Sequence, residues 1–289
     1  MKRQSSIHTG LTARSGFTLL ELLIVIVIIG ILMALILPAI ANVRYRTRVA
    51  AVTAEMNQLE QALATFNNRF GTFPPSSITL WGTQAGWDSN PVHKSIIRTI
   101  WPDFDFSTGG RGAAAHSWGT TDKVLTGDEC LVLFLGGMPE YTAGNAIPAL
   151  RGFSKNARWP LAMAGENRDG PFYSEFKGER LVDAEVAPAS PDGVPSYLDS
   201  LPGQTTAMWY SVATNGRYAN GDAAYYQPDG KTPWKRESYQ IISPGNDGSF
   251  GDIIKTATSK AIYSDTTDFA ARLTERDNIT NFSGGLLEQ

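Results

Sequence analysis

From Leu22 to Val43 the sequence contains no charged residue. Twenty helical residues rise about 30 Å, the thickness of a hydrocarbon core, so this run is long enough to cross a bilayer as a helix. Glu21 stands immediately before it. A carboxylate at that depth costs about 2.5–3.5 kcal/mol on insertion scales, and more if isolated. A chain that keeps such a residue needs a use for it.

A cleavable secretory signal fits the small-x-small triplet Ala39-Ile40-Ala41. However, the apolar run exceeds a signal h-region, and Glu21 interrupts its entry. An uncut signal anchor would be oriented by Lys2, Arg3 and Arg14. Arg44, Arg46 and Arg48 lie just past the run and weaken that charge bias.

A third reading takes Arg14-Ser15-Gly16-Phe17-Thr18-Leu19-Leu20-Glu21 as one unit. It resembles the class III signal of type IV pilins and type II secretion pseudopilins. The resemblance implies a basic leader, residues 1–16, cut between Gly16 and Phe17 by a membrane prepilin peptidase. Phe17 then becomes the first residue and is N-methylated, and Glu21 takes the place of the family's glutamate near the new terminus. A freed amine is a cation near neutral pH, with a reference pKa of about 8. Alone in hydrocarbon each group is costly; paired across subunits they neutralise each other. Such a pair drives assembly and fixes axial stagger, as a buried polar residue fixes register in a coiled coil.

Beyond the apolar run the pattern turns amphipathic. Val49, Val52, Met56, Leu59, Leu63, Phe66 and Phe70 recur at steps of three and four, with Glu55, Gln58, Glu60 and Asn67 among the polar residues between them. This predicts one helix continuing to Phe70, stopped by Gly71 and Pro74-Pro75. Gly30 and Pro38 are expected to kink or loosen its membrane part. The stripe suits a coiled-coil dimer or a packed head. "LEQALATFNNRFGTFPPS" is similar to the end of the pseudopilin helix, which implies a head.

Residues 76–235 show no strong family resemblance. The content of 28 Gly and 16 Pro suggests a loop-rich body. Thr126-Gly127-Asp128-Glu129 is a capping box before the apolar "CLVLFL", and Gly136-Gly137 closes that helix. Cys130 reads as a small core residue. "GPFYSEF" and "MWYSVA" read as short strands, and "SPDGVPSYLDSLPG" as a turn-rich loop. His93 and His116 sit in no metal spacing, and no nucleophile elbow or P-loop occurs. The seven Trp residues are scattered, as core or platform residues are, and a carbohydrate site is the less favoured use. A formal net charge of −3 argues against nucleic acid as a partner. Removing Lys2, Arg3 and Arg14 with the leader leaves about −6. One cysteine closes no intrachain disulfide.

In residues 237–289, "ESYQIISPGNDGSFGD" reads as a strand, Ser238 to Ser243, entering a Gly-Asp loop. With "ERDNITNFSGG" it resembles the C-terminal signature of the major pseudopilin of type II secretion. That resemblance implies one calcium ion held by Asp247 and Asp277, then Asp252, with Ser243 and Ser249 as weak or backbone donors. Ca²⁺ takes six to eight hard oxygens. About 25 residues separate the two halves here, more than in the compact family loop. The alternative is a plain Asn-Asp-Gly turn needing no metal. "NGDAAYYQPDGKTPW" offers Asp222 and Asp229 as a second, weaker set.

The expectation is an α+β, pilin-like fold. A transmembrane and assembly helix (17–41) continues as an amphipathic helix (42–71) packed on a small antiparallel sheet. A large loop-rich region (72–236) is inserted before a C-terminal strand and loop (237–289). The resemblance implies a structural subunit, not an enzyme. It would be a single-pass bacterial inner-membrane protein, N-terminus cytoplasmic before cleavage and head periplasmic, polymerising into a type II secretion pseudopilus. Its implied partners are prepilin peptidase, copies of itself and minor pseudopilins, an inner-membrane assembly platform and the lipid bilayer. The alternatives are a type IV pilus subunit for adhesion, motility or DNA uptake, and a pilin-anchored binding protein, which would need a deep polar pocket.

Overall fold

The computed structural model describes residues 18–107, 121–141, 148–162, 167–183, 193–219, 224–227, 229, 231–251, 261–262 and 275–287. The chain divides into two compact units, residues 1–47 and 48–289; the second is called the head below. The fold is α+β, a long N-terminal helix followed by small, chiefly antiparallel sheets.

The helix α1 runs Leu19–Phe70 without interruption, through both Gly30 and Pro38. Gly71, at φ +72°, ends it, and its amide donates to Asn67 O. In the first unit every large apolar side chain from Leu19 to Val43 is exposed, from 43% at Ile40 to 81% at Leu19. An apolar surface of that extent is stable only in lipid or against other apolar partners.

Within the head the stripe behaves as its periodicity predicts. Val52, Met56, Leu59, Leu63 and Phe66 are fully buried, and Val49 and Phe70 pack at the edge of the same core. Phe66 meets Phe134 edge-on at 5.9 Å, and Phe70 meets Trp101 at 6.2 Å. The stripe packs against a core, not against a second copy of the helix.

The helices α2 (Gln84–Ser89), α3 (Pro91–Ile100) and α4 (Gly127–Gly136) follow. In α4 both halves of the predicted box are present: the backbone amide of Thr126 donates to Glu129 Oε2 at 2.7 Å, and the Thr126 side chain accepts from the Glu129 amide. The apolar "CLVLFL" is buried from Cys130 through Leu135. Such all-round burial leaves no water for the last carbonyls, so protein must supply donors. Leu135 O accepts from Phe172 N (2.7 Å) and Tyr173 N (3.1 Å), and Gly136 O from Gly152 N (2.9 Å). Here the structure corrects one expectation: "GPFYSEF" is not a strand. Its amides serve the α4 terminus, so they are not available to a ladder, while Phe172, Tyr173 and Phe176 fill the core.

The main sheet is antiparallel, in the spatial order Gly285–Leu286, Ile279–Thr280, Tyr239–Ser243, Trp209–Val212. Tyr239 pairs with Val212 and Ile242 with Trp209, so a strand from the 72–236 stretch lies beside the C-terminal strand. "MWYSVA" and the 238–243 segment are thus strands, as their patterns predict. Every residue of Tyr239–Ser243 is buried. Tyr239 and Ile241 join the core beneath α1, while Ile242 joins a second cluster with Tyr225, Phe250 and Leu287. Gln240 lies on that second side with its amide satisfied: Oε1 accepts from Tyr225 N (2.8 Å), and Nε2 donates to Tyr225 O (3.0 Å) and Trp234 O (2.8 Å).

One ionic cluster ties α1 into the head from the side. Glu55, expected among the polar residues flanking the stripe, is only 8% exposed. Its carboxylate takes both terminal nitrogens of Arg180, with Nη1 to Oε2 at 2.8 Å, and Tyr197 Oη donates to Oε1 at 2.7 Å. Burial, then the hydrogen bond to Glu55, pushes the Tyr197 phenol above its usual value, so it stays a donor.

Candidate functional site

Two regions hold residues singled out from sequence. The first is the start of α1. Glu21 Oε2 accepts from the backbone amide of Thr18 and from its hydroxyl, both at 2.8 Å. The amide of Glu21 donates back to Thr18 Oγ1 at 3.2 Å. This is a reciprocal capping box. It serves two otherwise orphaned helix amides and supplies the carboxylate with donors from its own chain. The sequence reading gave Glu21 its intersubunit role and missed this local one. The Thr-x-x-Glu spacing of Thr18 and Glu21 was the available signal. Both hydrogen bonds fall on Oε2; among the described residues none falls on Oε1. Gly16 and Phe17 lie outside the described residues. Gly30 has open space around it, with no atom within 4 Å of where a Cβ would stand.

The second region is the turn after Tyr239–Ser243. Asp277 Oδ2 accepts from the amides of Asn246 (2.6 Å) and Asp247 (3.0 Å), so residues 30 apart in sequence meet there. The turn fits because position 245 has no side chain: at φ +67° a Cβ on Gly245 would stand 2.3 Å from Asp277 O. Asp247 Oδ1 accepts from Ser249 N at 2.8 Å. Asp277 Oδ1 is buried and has no hydrogen-bond partner among the described residues. Burial pushes the Asp277 carboxyl above the usual range, and the Asp247 carboxylate adds to the rise, against the pull of the two backbone donors.

The opposite wall comes from residues 199–206, which the sequence reading did not assign to the site. Asp199 is buried and accepts from Leu201 N (2.8 Å), Gln204 Nε2 (3.1 Å) and the Ser243 hydroxyl. Gln204 Nε2 also reaches Gly245 O at 3.0 Å, and Thr206 Oγ1 donates to Gly248 O at 2.7 Å. Burial pushes the Asp199 carboxyl up, opposed by these donors. Between the walls lies a cavity of about 90 Å³ lined by Leu201, Gln204, Gly245, Asn246 and Asp247. It has room for a few waters or a hydrated ion, whereas ligand pockets run to about 300–1,000 Å³.

The remaining candidates are placed elsewhere. Asp252, Asp222 and His116 lie outside the described residues. Asp229 is occupied by its own turn, accepting from Lys231 N, Thr232 N and Thr232 Oγ1, and these bonds lower its pKa to about 2. His93 Nδ1 accepts from Thr79 N at 3.3 Å, and burial holds the imidazole below its usual value. Among the described residues no three His, Cys, Asp or Glu side chains converge as a metal cluster. A cation at the turn would therefore draw on Asp277 Oδ1, Asp247 and backbone carbonyls, which suits calcium better than a transition metal.

A family profile described as "Prokaryotic N-terminal methylation motif" matches residues 11–37. Three curated sequences from Dichelobacter nodosus, each named "Type IV major fimbrial protein FimA", are 44% identical over 52 residues. That is 18% of this chain, and it spans about a third of the length of those relatives (32–33%). No solved structure matches. The likeness to these relatives covers a short part of the chain, and the profile match at 11–37 includes positions Gly16, Phe17 and Glu21.

Proposed function

We propose that the chain is a structural filament subunit of the type IV pilin kind. In this reading it is made as a precursor, cut between Gly16 and Phe17 by prepilin peptidase and methylated on the Phe17 amine. A single pass of the bacterial inner membrane holds it until copies polymerise through α1. The observation that carries the reading is the methylation motif at 11–37 running into an exposed apolar helix whose first turn holds a capped glutamate. The chain's own work is assembly, not catalysis. Mass spectrometry of the purified protein tests it: the N-terminus is expected at Phe17 with one added methyl group when the peptidase is present. An intact residue 1–16 segment in such cells sinks the reading.

Of the filament classes, the type II secretion pseudopilus is our first reading. The resemblance of the 237–285 segment supports it, as does the Asp277-clamped turn that closes without a cysteine pair. The second reading, a type IV pilus subunit, is favoured by the fimbrial relatives. Deleting the gene separates them: loss of protein export with no change in surface fibres fits the first, loss of surface fibres the second.

Calcium is part of the first reading. Asp277 Oδ1, without a hydrogen-bond partner among the described residues and beside the Asp247 carboxylate, fits a hard cation, which would relieve the repulsion between the two acids and tie the turn to residues 275–278. At a calcium concentration about 100 times Kd the head is expected to gain roughly 2.7 kcal/mol. Asp277→Asn should lose that gain. Thermal unfolding of the full chain in detergent, with calcium or with chelator, reads it; equal midpoints in both would refute the site.

A further inference from the structure

At the far end of the apolar run, Val43 is followed at once by Arg44, Tyr45 and Arg46, all on α1 and all in the first unit. Both arginines are exposed, and Tyr45 is half-buried. Among the described residues neither guanidinium forms an ion pair; Glu55, the next acid along the helix, is committed to Arg180. We propose that Arg44 and Arg46, with Tyr45 between them, form a collar that binds the phosphate headgroups of anionic phospholipids where the span leaves the bilayer.

The inference rests on the single-pass reading and adds a ligand to it. The 22 residues Leu22–Val43 rise about 33 Å, so a bilayer of ~30 Å places the next turn of helix among the headgroups. Long arginine stems let the charge reach outward while the methylenes stay on apolar surface, and tyrosine favours the same layer. Arginine takes phosphate with two parallel hydrogen bonds. The azimuths decide between partners. Residues two apart on a helix are separated by about 200°, so Arg44 and Arg46 leave on opposite sides. Headgroups surround a spanning helix on every side and satisfy both. A carboxylate from a second copy would meet one face and leave the other cation alone. The collar also has a use in the proposed assembly: it fixes the depth of the span, which keeps Glu21 at the opposite end until a partner arrives.

The test uses the full processed protein in nanodiscs of mixed phosphatidylcholine and phosphatidylglycerol. Native mass spectrometry counts each lipid that stays bound. The parent is expected to retain phosphatidylglycerol in preference, and Arg44→Gln/Arg46→Gln to lower that preference about 25-fold, since each basic residue near the surface contributes about fivefold. Lys155→Gln/Arg217→Gln removes the same charge from exposed sites in the head and should leave the preference intact. An unchanged preference in the first double variant overturns the proposal, as does a preference lost equally in both. Abolition by excess inorganic phosphate would make this a free-anion site and also overturn it. So would altered self-association with lipid binding unchanged, because the arginines would then face a second copy. Alkaline carbonate extraction keeps the two readings apart: release of the parent from membranes sinks the span itself, whereas retention without lipid preference sinks only the collar.

Discussion

Glu55→Ala is expected to destabilise the head by about 3–5 kcal/mol, the loss seen when one partner of a buried ion pair is removed. The size follows from what stays behind. Arg180 keeps a side chain only 14% exposed, and its Nε already lacks a partner among the described residues. Tyr197 Oη loses its buried acceptor in the same step. A domain of ordinary stability has about 5–15 kcal/mol in all, so this substitution removes a large share. The measurement is urea unfolding of the full chain in detergent, followed by tryptophan fluorescence. Two comparisons isolate the cause. Glu60→Ala removes a carboxylate that meets Lys235 only at 3.5 Å and is itself 27% exposed. Its ion pair is worth about 0–1 kcal/mol, although its bond to Asn281 adds to the loss. Glu55→Leu/Arg180→Met removes both buried charges and should recover most of the stability, because the pair gains little over well-packed apolar groups. A Glu55→Ala protein within about 1 kcal/mol of the parent would mean that water reaches the site and the cluster is not a buried one.

Glu21→Gln is expected to lower filament yield by roughly two orders of magnitude while leaving membrane insertion intact. A carboxylate in hydrocarbon costs about 2.5–3.5 kcal/mol, and a partner that cancels it returns a comparable amount, which is about a hundredfold in an equilibrium. The structure shows how the monomer carries that residue beforehand. Thr18 supplies two donors to Oε2, so the acid is partly satisfied within its own helix. In the proposed assembly the amine of another copy meets Oε1, which takes no hydrogen bond among the described residues. Glutamine keeps the cap through its amide oxygen but brings no charge, so the variant isolates ionic pairing from helix capping. Yield is read by pelleting sheared filaments and by crosslinking within membranes. Parent-level filaments from the variant would show that assembly runs on apolar contacts between helices alone.

The parts of this molecule that were legible in its sequence are those governed by neighbours a few residues apart. The extent of α1, its apolar stripe and its stop at Gly71 follow from spacing of three and four and from backbone preference. So do the Thr126 box and the strands at Trp209–Val212 and Tyr239–Ser243. Thr18 and Glu21 obey the same short-range rule. The turn at Asp247 was legible as a turn, but the clamp of its amides by Asp277, some 30 residues away, was not. "GPFYSEF" misled because its aromatic pattern suits either a strand or an extended segment packed on a helix end. The choice was made by Leu135 O, which needed donors.

Sequence alone thus determined that one apolar helix must leave water and that its continuation must bury a single face, because both are properties of a short window of side chains. Tertiary structure decided the rest. Glu55 became a buried ion-pair partner because Arg180, 125 residues away, arrived beside it. The Tyr239–Ser243 strand was buried on both faces because Tyr225 and Phe250 closed over its second side. The wall at Asp199 and Gln204 met the Gly245 turn across more than 40 residues. Burial and partnering at such separations depend on how the whole chain fills space, and no local pattern of hydrophobicity encodes them.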